Sequence, residues 1–376
     1  MVGYDILCCG SNGNYQLGTG TSEDSAVLQN AVMRGVDRLT TKPTSIRCGG
    51  NHTLMLVELG DVFVAGDNSK GQCGLNPQID GQNCLSQFTK LPRLNGKRWT
   101  HISAGWDFSV LINENHEVYA CGEGLNGELG LGELVTSTLS KSEEDKFTLL
   151  RINLDVGSGV RSIKSSIHHT VILLKSGVLL GWGNNKKGQL TPVSLSKLVW
   201  SPQTIEVDGN RVIGFNVCRD FTCIELASGR RRFRILGKNA EELEEEAHQM
   251  FQGLTENGYD SFTVHNMWTS LHLFGSNGEN ATVSSMGNNS HSQRLESLPD
   301  QLQKDAMVCS LGSEHGLFLT MSNKVYAWGW GEHGNCGVQK EEGTVFATPN
   351  EIYDGRAGRV VLIQGGCATS WVVTQN

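Results

Sequence analysis

The sequence predicts an all-β chain closed into a single seven-bladed β-propeller over residues 1–376. Three observations carry that prediction. A short apolar strand ending in a glycine-rich turn recurs seven times, and an apolar residue, a small-residue bend and a β-branched run also recur seven times. The two patterns alternate at spacings of about 40 to 60 residues, the length of one propeller blade. Without such a repeat, a chain of 376 residues would be expected to split into two or three domains.

The turn series begins with Ile6-Leu7-Cys8-Cys9-Gly10 running to Gly18, followed by Val62 to Gly74 and Val118 to Gly130. It continues through Leu179 to Leu190, a degraded Phe233-Arg234-Ile235-Leu236-Gly237, Val283 to Gly287, and Val325-Tyr326-Ala327-Trp328-Gly329. Glycine supplies the unusual φ these turns need, Asn12 and Asn68 tolerate the left-handed region, and an amide such as that of Gln16 can bond turn backbone. The bend series runs Ile46 to Leu56, Ile102 to Leu111, Ile163 to Leu173, Phe215 to Ile224, a weaker Val264 to Leu273, Val308 to Leu319, and Leu362 to Val373.

Between bend and turn lies a hairpin signal, as at Glu58-Leu59-Gly60-Asp61 and Lys175-Ser176-Gly177. The strands are apolar on both faces, which suits small sheets sandwiched between neighbours. The strand of residues 4–9 lacks a preceding hairpin partner and the run Ala368 to Val373 lacks a following one. Pairing the two closes the ring and removes an exposed edge. Polar loop insertions are expected near 76–98, 133–158 and 239–262, with a short acidic helix over 239–252. The fifth turn copy, with Arg230-Arg231-Arg232-Phe233-Arg234 before that helix, is the irregular one, and both charge runs are expected to be solvated surface.

Composition narrows the function classes. There are 46 glycines and only 7 prolines, which fits many tight turns in a folded chain. A net charge of −8 argues against sequence-independent nucleic-acid binding. The 11 cysteines are scattered without a Cys-x-x-Cys pair, residues 1–9 lead straight into a strand-like run, and no apolar run could span a bilayer. A soluble intracellular protein of the cytoplasm and nucleus, with free thiols, is expected.

Chemistry-bearing motifs are few. Gly329-x-Gly331-x-x-Gly334 has glycine spacing that suits a phosphate cradle but follows no strand-to-helix unit, so it reads as a turn. Glu332, His333, Cys336 and Cys367 could be imagined as metal ligands, yet they lack the paired spacing of a structural zinc site. Cys336 stands where Leu17, Cys73, Leu129 and Leu190 stand and reads as core. His52, His169 and His315 share a repeat position with Phe108 and Phe221, which implies packing. No nucleophile and base recur together, so no catalytic residue, metal or cofactor is expected.

The departures from the repeat point instead to binding. After the bend glycine the seven copies read Gly50, Trp106, Ile167, Arg219, Trp268, Ser313 and Gly366, and in the turn Trp330 replaces Ser11, Asp67, Glu123 and Asn184. Exposed tryptophans ringed by Asp107, Glu314, Glu332 and His333 would make an aromatic hot spot with a polar rim; the alternative is that they fill gaps between uneven blades. Trp182, Trp328 and Trp371 fall at positions that are apolar or small in other copies and read as core.

The turns of the form Gly-x-Asn-x-x-x-Gln-Leu-Gly and the bend Ile46-Arg47-Cys48-Gly49-Gly50-Asn51-His52 resemble the regulator of chromosome condensation family over the full length. Met267 to Leu273, Gly312 to Gly316, Tyr326 to Gly337 and Gly365 to Trp371 further resemble its fungal alpha-tubulin suppressor branch, also called killer-toxin-insensitivity proteins. That resemblance implies a non-enzymatic propeller in a heterodimer with a small zinc/iron-binding, CSL-type diphthamide-synthesis protein. It links the chain indirectly to Elongator-dependent wobble-uridine modification of tRNA and to diphthamide formation on elongation factor 2. The expected partner-binding residues are Trp106, Asp107, Trp268, Thr269, His272, Glu314, Trp330, Glu332 and His333. No direct nucleic-acid or membrane contact is expected. The alternative expectation is a guanine-nucleotide exchange factor for a small GTPase; an ultraviolet-receptor role would need repeated clustered tryptophans, of which only Gly105-Trp106 is seen.

Overall fold

The apolar runs become strands that hydrogen-bond into seven small antiparallel sheets set around a common axis. The structure is a computed structural model and describes residues 2–376 except 80–82, 141, 143, 208–210, 228–231 and 339–342. Counted from the first complete sheet, the blades begin with the innermost strands Pro43–Cys48, Trp99–Ala104, Val160–Ser165, Val212–Val217, Ser261–Asn266, Ala306–Leu311 and Arg359–Gly365. Blade 7 is completed from both ends of the chain: Tyr4–Gly10 pairs with Thr369–Gln375 in unbroken register from Tyr4 opposite Gln375 to Gly10 opposite Thr369. The predicted closure is therefore observed.

The second strand of each blade carries the radial core. His52–Val57, Phe108–Asn113, His169–Leu174 and His315–Thr320 are buried at every position, because both faces of each sheet meet a neighbouring blade. Tryptophans bind blades together. The Trp182 indole N–H donates to the Glu128 carbonyl of the preceding blade at 2.8 Å, and the Trp328 indole donates to the Gln293 carbonyl at 3.0 Å. Trp371 meets Phe88 edge to face at 5.8 Å between ring centres. All three tryptophans are fully buried, as predicted.

The turns repeat one local bond set. Asn12 Oδ1 accepts from the Leu17 N–H, as Asn68 does from Cys73 and Asn185 from Leu190. The amide oxygen of Gln16 accepts from the Asn14 N–H, as Gln72 does from Lys70, Gln189 from Lys187 and Gln293 from His291. Side chains thus satisfy backbone groups that no ladder can reach.

Several expectations change. Residues 76–98 are not simply a loop, since Cys84–Leu91 is the outermost strand of blade 1; Leu150–Arg151 likewise extends blade 2 within 133–158. Cys84–Leu91 mixes exposed and buried positions and Leu150–Arg151 is exposed at both, so the repeat patterns pass over them. Blades 4 and 5 have three strands among the described residues.

In blade 4, the irregular one, helix α1 (Ala240–Glu256) follows the third strand and packs on Phe233–Gly237 and on Ala281–Gly287. It runs past the predicted end at 252. Its acidic run is not wholly solvated: Glu244, 2% exposed, accepts the Ile235 N–H at 3.0 Å and pairs with Arg234 at 3.4 Å. Nor is Arg232 merely surface, because its guanidinium lies 5.9 Å from Phe251 and 5.4 Å from Phe262. Arg230 and Arg231 lie outside the described residues. No helix among the described residues is long and apolar enough to cross a membrane.

Candidate functional site

Bends open the second strand of each blade and turns close the third, so antiparallel pairing brings both to one face of the ring. Thus the Trp330 N–H at a turn donates to the carbonyl of Glu314 in the adjacent bend. Around the axis, the residues after the bend form two runs of blade-to-blade backbone bonds, one over blades 1 to 3 and one from blade 4 onward. Gly50 N–H donates to the Trp106 carbonyl, Trp106 to Ile167, Arg219 to Trp268, and Trp268 to Ser313. The positions singled out from the repeat are therefore the inner rim of this face. One assignment moves: Gly49 N–H bonds the His52 carbonyl as Gly366 N–H bonds that of Thr369, so the blade 7 counterpart of Gly50 is Cys367, not Gly366.

At this rim Trp106 of blade 2 and Trp268 of blade 5 come together with ring centres 5.7 Å apart, tilted by 52°. Blades 2 and 5 stand across the ring from each other, so the pair narrows the mouth of the axial channel. Trp106 is 36% exposed and Trp268 is half-buried. Small residues make room for them: a Cβ on Gly50 would lie 2.9 Å from the Trp106 ring. Trp268 also lines a groove of about 370 Å³ between blades 4 and 5, with Arg219, Lys238 and Asn288.

The polar residues expected around the tryptophans are mostly engaged already. Asp107 accepts Lys70 Nζ at 2.6 Å, and the same ammonium reaches Glu123 at 3.0 Å, which ties blade 1 to blade 2. Its bond to Asp107 leads the causes that raise the Lys70 pKa. Glu314 is only 7% exposed. It accepts the Thr269 hydroxyl at 2.9 Å on both oxygens and the Gln293 amide at 2.8 Å. Burial raises its pKa above the ordinary carboxylate range, with the bonds from Gln293 and Thr269 opposing. Glu314 and Thr269 therefore position the bend that carries Trp268 and contribute little free polar surface.

His272 is corrected outright. It is fully buried, bonded to Ser270 Oγ and Ser285 Oγ at 2.8 Å each, and burial pulls its pKa down to about 3. Its strand register opposite His265 matches Leu54 opposite Arg47, which is a core position. It cannot meet a partner without unfolding the blade.

Trp330, Glu332 and His333 share the face but do not form one cluster with Trp268. Trp330 stacks on His291 of the neighbouring turn, ring centres 4.3 Å apart and planes within 8°. His333 turns outward to Asp24 of blade 7 at 2.7 Å. Glu332 is exposed. Cys336 is a fully buried core residue, and among the described residues no group of three or more His, Cys, Asp or Glu is placed to hold a metal ion. His52 and His315 are buried and bonded to Ser109 and Ser370 at 2.8 and 2.9 Å, and His169 is buried with them, so the packing reading of these histidines holds.

Sequence reasoning missed His291, Gln293 and Asp24. The spacing from Gly287 to Gln293 equals that from Gly10 to Gln16, so counting from the turn glycine would have found His291 and Gln293. Asp24 gives no such signal, because only folding brings it beside a residue more than three hundred positions away.

The regulator of chromosome condensation (RCC1) repeat matches residues 60–112, and a second form of that repeat matches 44–72, 99–128 and 160–189, all in blades 1 to 3. An RCC1 repeat-containing protein of Schizosaccharomyces pombe is 28% identical over 377 residues, covering 98% of this chain and 99% of its own. The mouse RCC1-like G exchanging factor-like protein is 31% identical over 57% of this chain and 47% of its own. The mouse secretion-regulating guanine nucleotide exchange factor is 24% identical over 98% of this chain and 83% of its own. Among solved structures, human WBSCR16 superposes with a TM-score of 0.76 at 17% identity, covering 99% and 98% of the two chains. Prp20p of Saccharomyces cerevisiae gives 0.74 at 18%, covering 99% and 91%. With seven blades, the termini sealed in one sheet and the regulator of chromosome condensation repeat matched in its first three blades, the chain is an RCC1-like seven-bladed propeller.

Proposed function

We propose that the chain is a non-enzymatic binding module that docks a protein partner on the bend-and-turn face, with Trp106 and Trp268 as the anchor. The observation that carries this reading is the tilted indole pair at the channel mouth, where other blades place Gly50 or Ser313. Large aromatics at the centre of a face, rimmed by ion-paired polar groups, have the composition of interface hot spots.

The partner proposed is the small zinc/iron-binding, CSL-type diphthamide-synthesis protein. The two chains would form a heterodimer in the cytoplasm and nucleus that supports Elongator-dependent tRNA wobble-uridine modification and diphthamide synthesis. Support for that finer identity is the sequence resemblance of the Met267–Leu273, Gly312–Gly316, Tyr326–Gly337 and Gly365–Trp371 blocks. The test is the affinity of the purified partner for Trp106→Ala and Trp268→Ala, each first checked for native folding. At least tenfold weakening in one is expected; unchanged affinity in both would sink the reading.

A second reading, guanine-nucleotide exchange on a small GTPase, is favoured by one observation. The mouse relative similar over 98% of this chain is named for that activity. Release of labelled GDP from a panel of small GTPases, accelerated by catalytic amounts of the chain, would replace the first reading with this one.

A further inference from the structure

The axial channel widens beneath the Trp106–Trp268 pair into a cavity of about 380 Å³. One ring of its wall is set by the repeat. In every blade the residue opposite the third position of the second strand points a polar side chain inward: in blade 1, Arg47 stands opposite Leu54, and in blade 3, Lys164 stands opposite Val171. Blade 5 contributes His265 at the same register, opposite His272. The remaining four members are Ser103, Asn216, Ser310 and Gln364. The ring thus holds an arginine, a lysine, a histidine and four neutral hydrogen-bonding groups. Among the described residues, no aspartate or glutamate lines the cavity.

The hydrogen bonds within the ring orient these cations without neutralising them. Arg47 Nη1 donates to Gln364 Oε1 at 2.9 Å and to the Ile46 carbonyl at 2.9 Å. Lys164 Nζ donates to Asn216 Oδ1 at 2.7 Å and lies 5.7 Å from the Phe215 ring centre. Both acceptors are uncharged amides. The carboxylate of Glu225, which does not line the cavity, accepts the Asn216 amide at 3.3 Å. Burial pulls the Lys164 pKa down to about 8, with Glu225 opposing and the Arg47 charge adding to the fall. The same Lys164 charge adds to the burial that holds His265 down at about 4. Like charges therefore face each other across a partly desolvated space, an arrangement that is costly unless a counter-charge enters.

We propose that this cavity is a binding site for a small oxyanion of the phosphate class, held between Arg47 and Lys164. Guanidinium and ammonium donors match a tetrahedral oxyanion, and Ser103, Ser310 and the amide groups of Asn216 and Gln364 offer further polar contacts within the same ring. The cavity lies within the size range of small-molecule sites. The proposal stands independently of what docks on the outer face.

The test is calorimetric titration of the full chain with inorganic phosphate, and separately with glycerol 1-phosphate, in chloride buffer at constant ionic strength. One saturable site for at least one anion is expected, together with a rise in melting temperature. Binding of the free anion or of the monoester tells which source of phosphate the site takes. Lys164→Met should weaken it at least tenfold. Gln364→Glu sets a carboxylate beside Arg47 and should abolish anion binding while the melting temperature without phosphate holds or rises, so the test survives if Lys164→Met fails to fold. Absence of saturable binding of either anion to the native chain, or undiminished binding to Gln364→Glu, would overturn the proposal.

Discussion

The indole rings of Trp106 and Trp268 meet across the channel mouth with their centres 5.7 Å apart, although 162 residues separate them in the chain. Each sits one residue past a bend whose backbone is bonded to neighbouring blades, so the scaffold presents the pair without depending on it for closure. The alanine variants should therefore fold. Trp106→Ala is expected to cost under about 1 kcal/mol of stability, as exposed substitutions do, whereas the fully buried Trp371→Ala should cost about 3 to 5 kcal/mol. Urea unfolding of the two variants checks this contrast.

Glu314 holds Thr269 and Gln293 from a nearly buried position, and its loss would orphan both donors. Glu314→Ala should destabilise by about 1 to 3 kcal/mol. Glu332→Ala, on the exposed tip of the next turn, should stay within about 0.5 kcal/mol of the native chain. Equal unfolding midpoints for the two variants would contradict the positioning role.

Four histidines, His52, His169, His272 and His315, are buried to 1% exposure or less, and burial holds their pKa values near 4, 3, 3 and 4. In the unfolded chain they titrate near 6.5, so below that pH the unfolded state binds more protons. Their contribution is complete above about pH 6.5 and is lost as pH falls, toward 4 for His52 and His315 and toward 3 for His169 and His272, each giving up about 1.4 kcal/mol per pH unit in its window. Between pH 7 and pH 5.5 the unfolding free energy should drop by several kcal/mol in total, about 1 kcal/mol for each group. A urea midpoint unchanged over that interval would contradict the neutral, buried state of these rings.

His333 joins Asp24 across the seam between blades 6 and 7, but both side chains are more than two-fifths exposed. An exposed pair of this kind is worth about 0 to 1 kcal/mol. His333→Ala should leave the melting temperature within a few degrees of native, and the loss should shrink in high salt. A large, salt-independent loss would show that the seam depends on this contact.

Much of the architecture was legible because a repeated unit reports its own register. Seven turns and seven bends located the inner three strands, and the unpaired runs at residues 4–9 and 368–373 predicted the seal. The fourth strands were not legible, since Cys84–Leu91 carries one solvated face and no repeated glycine. At the site, deviation from the repeat correctly marked Trp106 and Trp268 as the odd members of one rim. It could not say that Trp330 would stack on His291, or that Thr269 and Asp107 would spend their polar atoms on Glu314 and Lys70. His272 went astray because a resemblance block was followed in place of strand register; the register places it with Leu54 and Val171, inside the blade. The axial ring of Arg47 and Lys164 was hidden for a different reason, since each looks like an ordinary polar strand residue until seven blades point them at one axis.

The most direct measurement of the docking account is the dissociation constant between this chain and the purified CSL-type partner, with Trp268→Ala compared against native protein of equal stability. The account predicts weakening of at least tenfold, about 1.4 kcal/mol or more. An unchanged dissociation constant, in Trp268→Ala and in Trp106→Ala alike, would contradict it.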